Sequence, residues 1–169
     1  MNDLDSEISA LAIRLVEIAK SANLRLATAE SCTGGLVGGA ITRVPGSSDA
    51  YDRGYITYSN TAKIDSLKVD PDLIAEFGAV SRDVAREMAL GARAESGADI
   101  AVSITGIAGP GGSEFKPAGL VWFGLATSHE RVETLELNLG DIGRDEVRQA
   151  AVRQALELLI SGVEHCRTA

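Results

Sequence analysis

A chain of 169 residues, 45% of them hydrophobic, is long enough to bury one well-packed core and too short for two ordinary domains, so residues 1–169 are read as one domain. Twenty-four acidic against sixteen basic residues leave a formal net charge of -8, which repels a nucleic-acid backbone unless the basic side chains gather on one face, and no basic cluster is present. No apolar run approaches the roughly 20 residues of a membrane span, and Met1-Asn2-Asp3-Leu4-Asp5 carries acid where a signal peptide carries Lys or Arg, which predicts a cytoplasmic protein with neither a membrane nor a nucleic-acid partner.

Residues 4–21 place Ile8, Leu11, Ala12, Leu15, Ile18 and Ala19 at helical spacing, opposite Asp5, Glu7, Arg14 and Glu17, and predict an amphipathic helix. Leu24 to Ala29 reads as a short strand ending at Glu30-Ser31, after which Thr33-Gly34-Gly35 leads into a helix over 36–41 that Pro45-Gly46-Ser47-Ser48 stops. Tyr51 to Tyr58 is aromatic and β-branched, as in a strand, and Ser59-Asn60 can cap a short helix carrying Lys63. Helices fit 71–77 and 81–96, the second capped by Ser81, and the apolar run Asp99 to Thr105 enters a glycine-rich loop, Gly106 to Ser113. Leu120 to Ala126 and Val132 to Leu139 read as an antiparallel hairpin across Thr127-Ser128-His129-Glu130. From Asp141 onward, Val147, Ala151, Ala155, Leu158 and Leu159 mark a closing helix with Asp145 and Glu146 in its first turn. Strands alternating with helices, plus one hairpin, predict an α/β fold, a three-layer α/β/α sandwich with a mixed β-sheet. Apolar helix faces serve a core or a subunit interface alike, which leaves a homo-oligomer open.

Three polar segments, 30–35, 58–63 and 105–113, stand at predicted strand ends, where open α/β sheets bind ligands. From spacing alone, capping or turn-making is the commoner role for Ser31. The sharper one is a nucleophile at a strand-to-helix turn, beside the N–H groups of Thr33, Gly34 and Gly35, a geometry that serves a phosphate or an oxyanion equally. Gly38 stands where a Cys-x5-Arg phosphatase loop needs Arg, no G-x-x-x-x-G-K-[ST] occurs, the glycines of 106–112 do not make G-x-G-x-x-G, and G-x-S-x-G is missing around Ser31. Cys32 and Cys166 lie far apart with no partner at metal-ligand spacing, so neither a metal nor a cofactor is expected. The two histidines, His129 in a hairpin turn and His165 near the end of the chain, are poorly placed for a catalytic base. A serine nucleophile here therefore needs another proton acceptor, and Ser-Lys pairs are a known variant. Lys63 stands at the end of the neighbouring strand with Tyr58 five residues before it; a solvated surface charge is the ordinary role of such a lysine, and an edge-of-core aromatic that of such a tyrosine. The 106–113 loop offers successive N–H groups for an anion or is a plain surface turn, and Lys116 and Arg148 are cations that could add a phosphate contact.

Taken together, Thr28-Ala29-Glu30-Ser31-Cys32-Thr33-Gly34-Gly35, the run Gly54-Tyr55-Ile56-Thr57-Tyr58-Ser59-Asn60-Thr61-Ala62-Lys63, Gly78-Ala79-Val80-Ser81, and Ser103-Ile104-Thr105-Gly106-Ile107-Ala108-Gly109-Pro110 resemble the C-terminal domain of competence/damage-inducible protein CinA. Stand-alone members of that family are nicotinamide-nucleotide amidases, and the resemblance implies hydrolysis of nicotinamide mononucleotide to nicotinate mononucleotide and ammonia. Position by position it implies Ser31 as nucleophile with Tyr58 and Lys63 as partners, and a substrate-binding loop over Thr105, Gly106, Ala108 and Gly109. Neutral Lys63 is then expected to take the Ser31 proton, N–H groups near Thr33 to Gly35 to hold the oxyanion, and the glycine loop with Lys116 or Arg148 to hold the phosphate. The larger CinA proteins carry a further pyrophosphatase-associated domain for which 169 residues leave no room. The alternatives are a nucleotide-binding module without turnover and an amidase for another small carboxamide.

Overall fold

The computed structural model describes residues 3–129 and 131–168, so Glu130 of the expected hairpin turn lies outside the described residues. Twelve elements follow one another: α1 (Asp3–Ala22), β1 (Leu26–Glu30), α2 (Leu36–Thr42), a 3-10 turn (Ser47–Asp49), β2 (Tyr51–Ile56), α3 (Asn60–Leu67), α4 (Pro71–Phe77), α5 (Arg82–Ser96), β3 (Ile100–Gly106), β4 (Leu120–Thr127), β5 (Val132–Asn138) and α6 (Arg144–Thr168). The sheet order is β2-β1-β3-β4-β5, with β1 parallel to β2 and β3 and the β3–β4 and β4–β5 pairs antiparallel. This is the mixed sheet expected, with helices on both faces.

Side-chain alternation divides the two faces by size. Leu26, Ile100, Val102, Ile104, Val121, Phe123 and Leu125 pack with α1, α2 and α6 in the larger core. The opposite face presents Ala27, Ala29, Ala101, Ser103 and Gly124, small residues over which α5 lies close. Ser103 Oγ donates to the Ala85 carbonyl of α5, and a Cβ on Gly124 would stand 2.3 Å from that same oxygen. A Cβ on Gly91 of α5 would stand 1.9 Å from the Leu67 carbonyl, so only glycine lets the end of α3 rest there. Small residues on the sheet and on α5 thus bring α3 down against the strand ends.

Strand ends differ from the sequence expectation where hydrogen bonding decides them. Leu24 still donates to the Ala19 carbonyl and belongs to the close of α1, whereas Glu30 continues the ladder opposite Ile104 and Ile56. The closing helix starts at Arg144 because Gly140 and Gly143 take φ values of 71° and 108°.

Glu30, wholly buried at the end of β1, organises the turn that follows. Its Oε2 accepts from Gly35 N at 3.0 Å and Val37 N at 3.1 Å, and its Oε1 from Gly38 N at 2.9 Å. These are the orphan donors at the start of α2, whose N-cap, Gly35, has φ 99° and no side chain to offer. Replacing Glu30 by Ala strands three N–H groups out of water; denaturant unfolding is expected to show a loss of about 3 kcal/mol, with a smaller loss for Glu30→Gln, which keeps one acceptor oxygen.

Candidate active site

Where the parallel strands end, the turn after β1, the start of α3, the 78–81 connection and the loop after β3 surround a cavity of about 370 Å³. Ser31 and Lys63 form its floor. Both are buried, at 8% and 1% exposure, and Lys63 Nζ donates to Ser31 Oγ at 3.1 Å and to the Thr57 carbonyl at 2.8 Å. Ser59 is the N-cap of α3, its Oγ accepting from Ala62 N, which fixes the helix that carries Lys63 inward. Ser31 caps nothing: α2 begins at Leu36, and the Ser31 N–H donates to the Ile104 carbonyl of β3. Burial pulls the Lys63 ammonium from 10.5 down to about 8, so an appreciable fraction is neutral near pH 8. Burial likewise pushes the Cys32 thiol up to about 11, which keeps Cys32 protonated near neutrality.

Other expected site residues fall in three groups. Thr105, Gly106, Ala108 and Gly109 line the cavity, and Thr105 Oγ1 donates to the Ala79 carbonyl at 2.8 Å, joining two of its walls. Among the described residues, no acceptor is paired with the N–H groups of Ala108, Gly109, Gly111 and Gly112, all on that lining. Tyr58 also lines it, but at the mouth, 64% exposed, and its hydroxyl accepts from Arg144 at 3.2 Å rather than meeting Ser31 or Lys63.

Thr33, Gly34 and Gly35 lie off the lining. Gly34 N donates to the Ser31 carbonyl at 3.1 Å and Gly35 N to Glu30, so neither is free to hold an oxyanion. The two expected phosphate cations are engaged elsewhere. Lys116 Nζ donates to the Phe77 carbonyl at 2.6 Å and to that of Val80, tying the 78–81 wall to the glycine loop. Arg148 reaches the Cys32 and Thr33 carbonyls at 3.2 and 3.4 Å and pairs with Asp145.

Besides Lys63, Arg144 lines the cavity, and it spans the mouth from Gly109 O, at 2.8 Å, to the Tyr58 hydroxyl. A positive charge at the first residue of a helix runs against the macrodipole, a signal that becomes readable only once the helix is known to start at Arg144. Glu30, buried behind the serine turn, had no such signal. Among the described residues no cluster of three His, Cys, Asp or Glu side chains is placed to hold a metal ion, and no helix is long and apolar enough to cross a membrane.

Known proteins share the sequence and the fold. The family model of the CinA C-terminal domain matches residues 8–163. Nicotinamide-nucleotide amidohydrolase PncC of Escherichia coli K12 is 47% identical over 157 residues, covering 92% of this chain and 94% of PncC. A relative named for competence-damage induction in Caldicellulosiruptor saccharolyticus is 49% identical over 147 residues, and the match spans only 35% of its length. The crystal structure of competence/damage inducible protein CihA from Agrobacterium tumefaciens superposes with a TM-score of 0.90 at 49% identity, covering 92% of this chain and 94% of that one.

The buried lysine makes a stability prediction independent of any substrate. Between pH 8 and 10.5 the unfolded chain holds a proton on Lys63 that the folded chain has released, so stability rises with pH across that window. Denaturant titrations of wild type and Lys63→Met should show the difference in unfolding free energy moving toward wild type by about 3 kcal/mol over the window, and level below it.

Proposed function

The chain belongs to the CinA C-terminal domain family, and on that premise we propose that it hydrolyses the carboxamide of nicotinamide mononucleotide, giving nicotinate mononucleotide and ammonia, with Ser31 as nucleophile and Lys63 as its base. The observation that carries this reading is the buried 3.1 Å contact between Lys63 Nζ and Ser31 Oγ. Neutral Lys63 accepts the hydroxyl proton as Oγ attacks the carboxamide carbon, and the resulting ammonium returns that proton to the departing nitrogen. Ammonia leaves, and a water activated by the same lysine cleaves the acyl-enzyme ester. With Gly34 and Gly35 already bonded, the N–H of Cys32, next to the nucleophile and on the cavity wall, is the oxyanion donor this reading favours.

The phosphate belongs at the other end. The glycine loop with its unpaired N–H groups and the Arg144 guanidinium share one side of the cavity lining, and an arginine fork suits a phosphate's oxygens. Tyr58 is then a holder of Arg144 rather than a proton relay.

Ammonia release from nicotinamide mononucleotide tests the assignment. Ser31→Ala and Lys63→Ala are each expected to lower kcat by about 10³-fold or more, because members of such a pair act as a unit. Binding by the wild type without release would instead favour a nucleotide-binding module, and faster turnover of another small carboxamide a different amidase. For the wild type, kcat/KM should rise with pH and level off above about 8, following loss of the proton from Lys63 in the free enzyme. Arg144→Ala should raise KM by about 10- to 100-fold and leave free nicotinamide, which has no phosphate, unaffected.

A further inference from the structure

Asn60 has no task in the reaction outlined above. It lines the cavity, its side chain is exposed there, and its amide has no hydrogen bond with any described residue. The usual structural reason for an asparagine at a helix start does not apply, because Ser59 caps α3 and Asn60 is the first residue inside it.

Its placement indicates what it meets. Asn60 precedes Lys63 by three residues, so the two share a face of α3 with Cβ atoms about 5–6 Å apart. The long lysine reaches the buried Ser31; the short asparagine stays one turn back, on the cavity lining it shares with Tyr58 and Arg144. A pyridine nucleotide with its carboxamide carbon at Ser31 and its phosphate at Arg144 has its ribose between them. Each ribose hydroxyl is both donor and acceptor, and a primary amide, with two N–H donors and one carbonyl acceptor, can bond a vicinal pair. The Arg144 guanidinium nearby can only donate, and the Lys63 amine is committed to Ser31 and the Thr57 carbonyl.

We propose that Asn60 binds the 2′,3′-diol of the substrate ribose, forming a specificity subsite between the Ser31–Lys63 pair and Arg144. The subsite rests on the reading of the substrate as a pyridine nucleotide. It makes the sugar, as well as the phosphate, a requirement for productive placement.

Calorimetric titration in a Ser31→Ala background, where ligand survives, tests it with nicotinamide mononucleotide and its 2′,3′-dideoxy analogue. Adding Asn60→Ala should weaken the natural ligand by about 5- to 100-fold, as expected for one or two neutral hydrogen bonds, and leave the dideoxy analogue's affinity unchanged. In otherwise wild-type protein the same substitution should raise KM for nicotinamide mononucleotide with kcat held within about threefold. Equal weakening of both ligands would assign Asn60 a structural role and overturn the proposal, as would an unchanged affinity for the natural ligand or a fall in kcat at constant KM. Ligand binding that discriminates the diol without ammonia release by the wild type would sustain the subsite and defeat the amidase reading; failure of the natural ligand to bind would defeat both.

Discussion

A lysine ammonium has been taken out of water and set 3.1 Å from a serine hydroxyl, and much of the surrounding architecture answers that one demand. Burial penalises the charged group far more than the neutral one, so the environment that weakens the fold is also the one that shifts the amine toward its neutral form. What offsets the cost is geometric: the Thr57 carbonyl accepts a second hydrogen bond from Nζ, Ser59 fixes the helix, and α3 is pressed inward by the close contact at Gly91. The serine is held with equal care, its N–H anchored to β3 and the turn behind it organised by the Glu30 carboxylate. Neither member sits on a mobile surface feature.

The sheet and its two helical layers were legible because period-2 and period-3.6 patterns survive in the sequence, down to the hairpin β4–β5 and the caps Ser59 and Ser81. Lys63 was reached by elimination, since His129 and His165 stand at a turn and near the end of α6, and the structure brings it to Ser31. The glycine turn misled for a definite reason. Thr33-Gly34-Gly35 has the composition of an anion cradle, but a carboxylate from the same segment, Glu30, already fills the role of anion. Sequence shows that N–H groups are presented; it does not show that a side chain five to eight residues away has claimed those of Gly35, Val37 and Gly38, or that Gly34 N is bonded to the Ser31 carbonyl.

The cations teach a related lesson. Lys116 and Arg148 were expected at the phosphate as cations that could add a contact to it, yet backbone carbonyls hold both. Their charge serves to tie walls together, Lys116 joining the 78–81 connection to the glycine loop and Arg148 fixing α6 against the serine turn. Arg144 escaped notice because its position depends on how α6 begins, which two positive-φ glycines decide. An interaction between the start of the last helix and a tyrosine 86 residues earlier lies beyond any local pattern.

The unequal faces of the sheet set different limits on how this sequence can drift. On the side of α1, α2 and α6, large aliphatic side chains can exchange methyl groups with one another so long as total volume is kept. On the α5 side, Gly91 and Gly124 meet backbone carbonyls that cannot step aside, and no compensating shrinkage elsewhere restores the distance. Divergence should therefore accumulate as reciprocal swaps on one layer and be nearly frozen on the other. The frozen layer is the one that carries the helix with Lys63, so the tolerance of the scaffold is lowest where displacement would separate that lysine from Ser31.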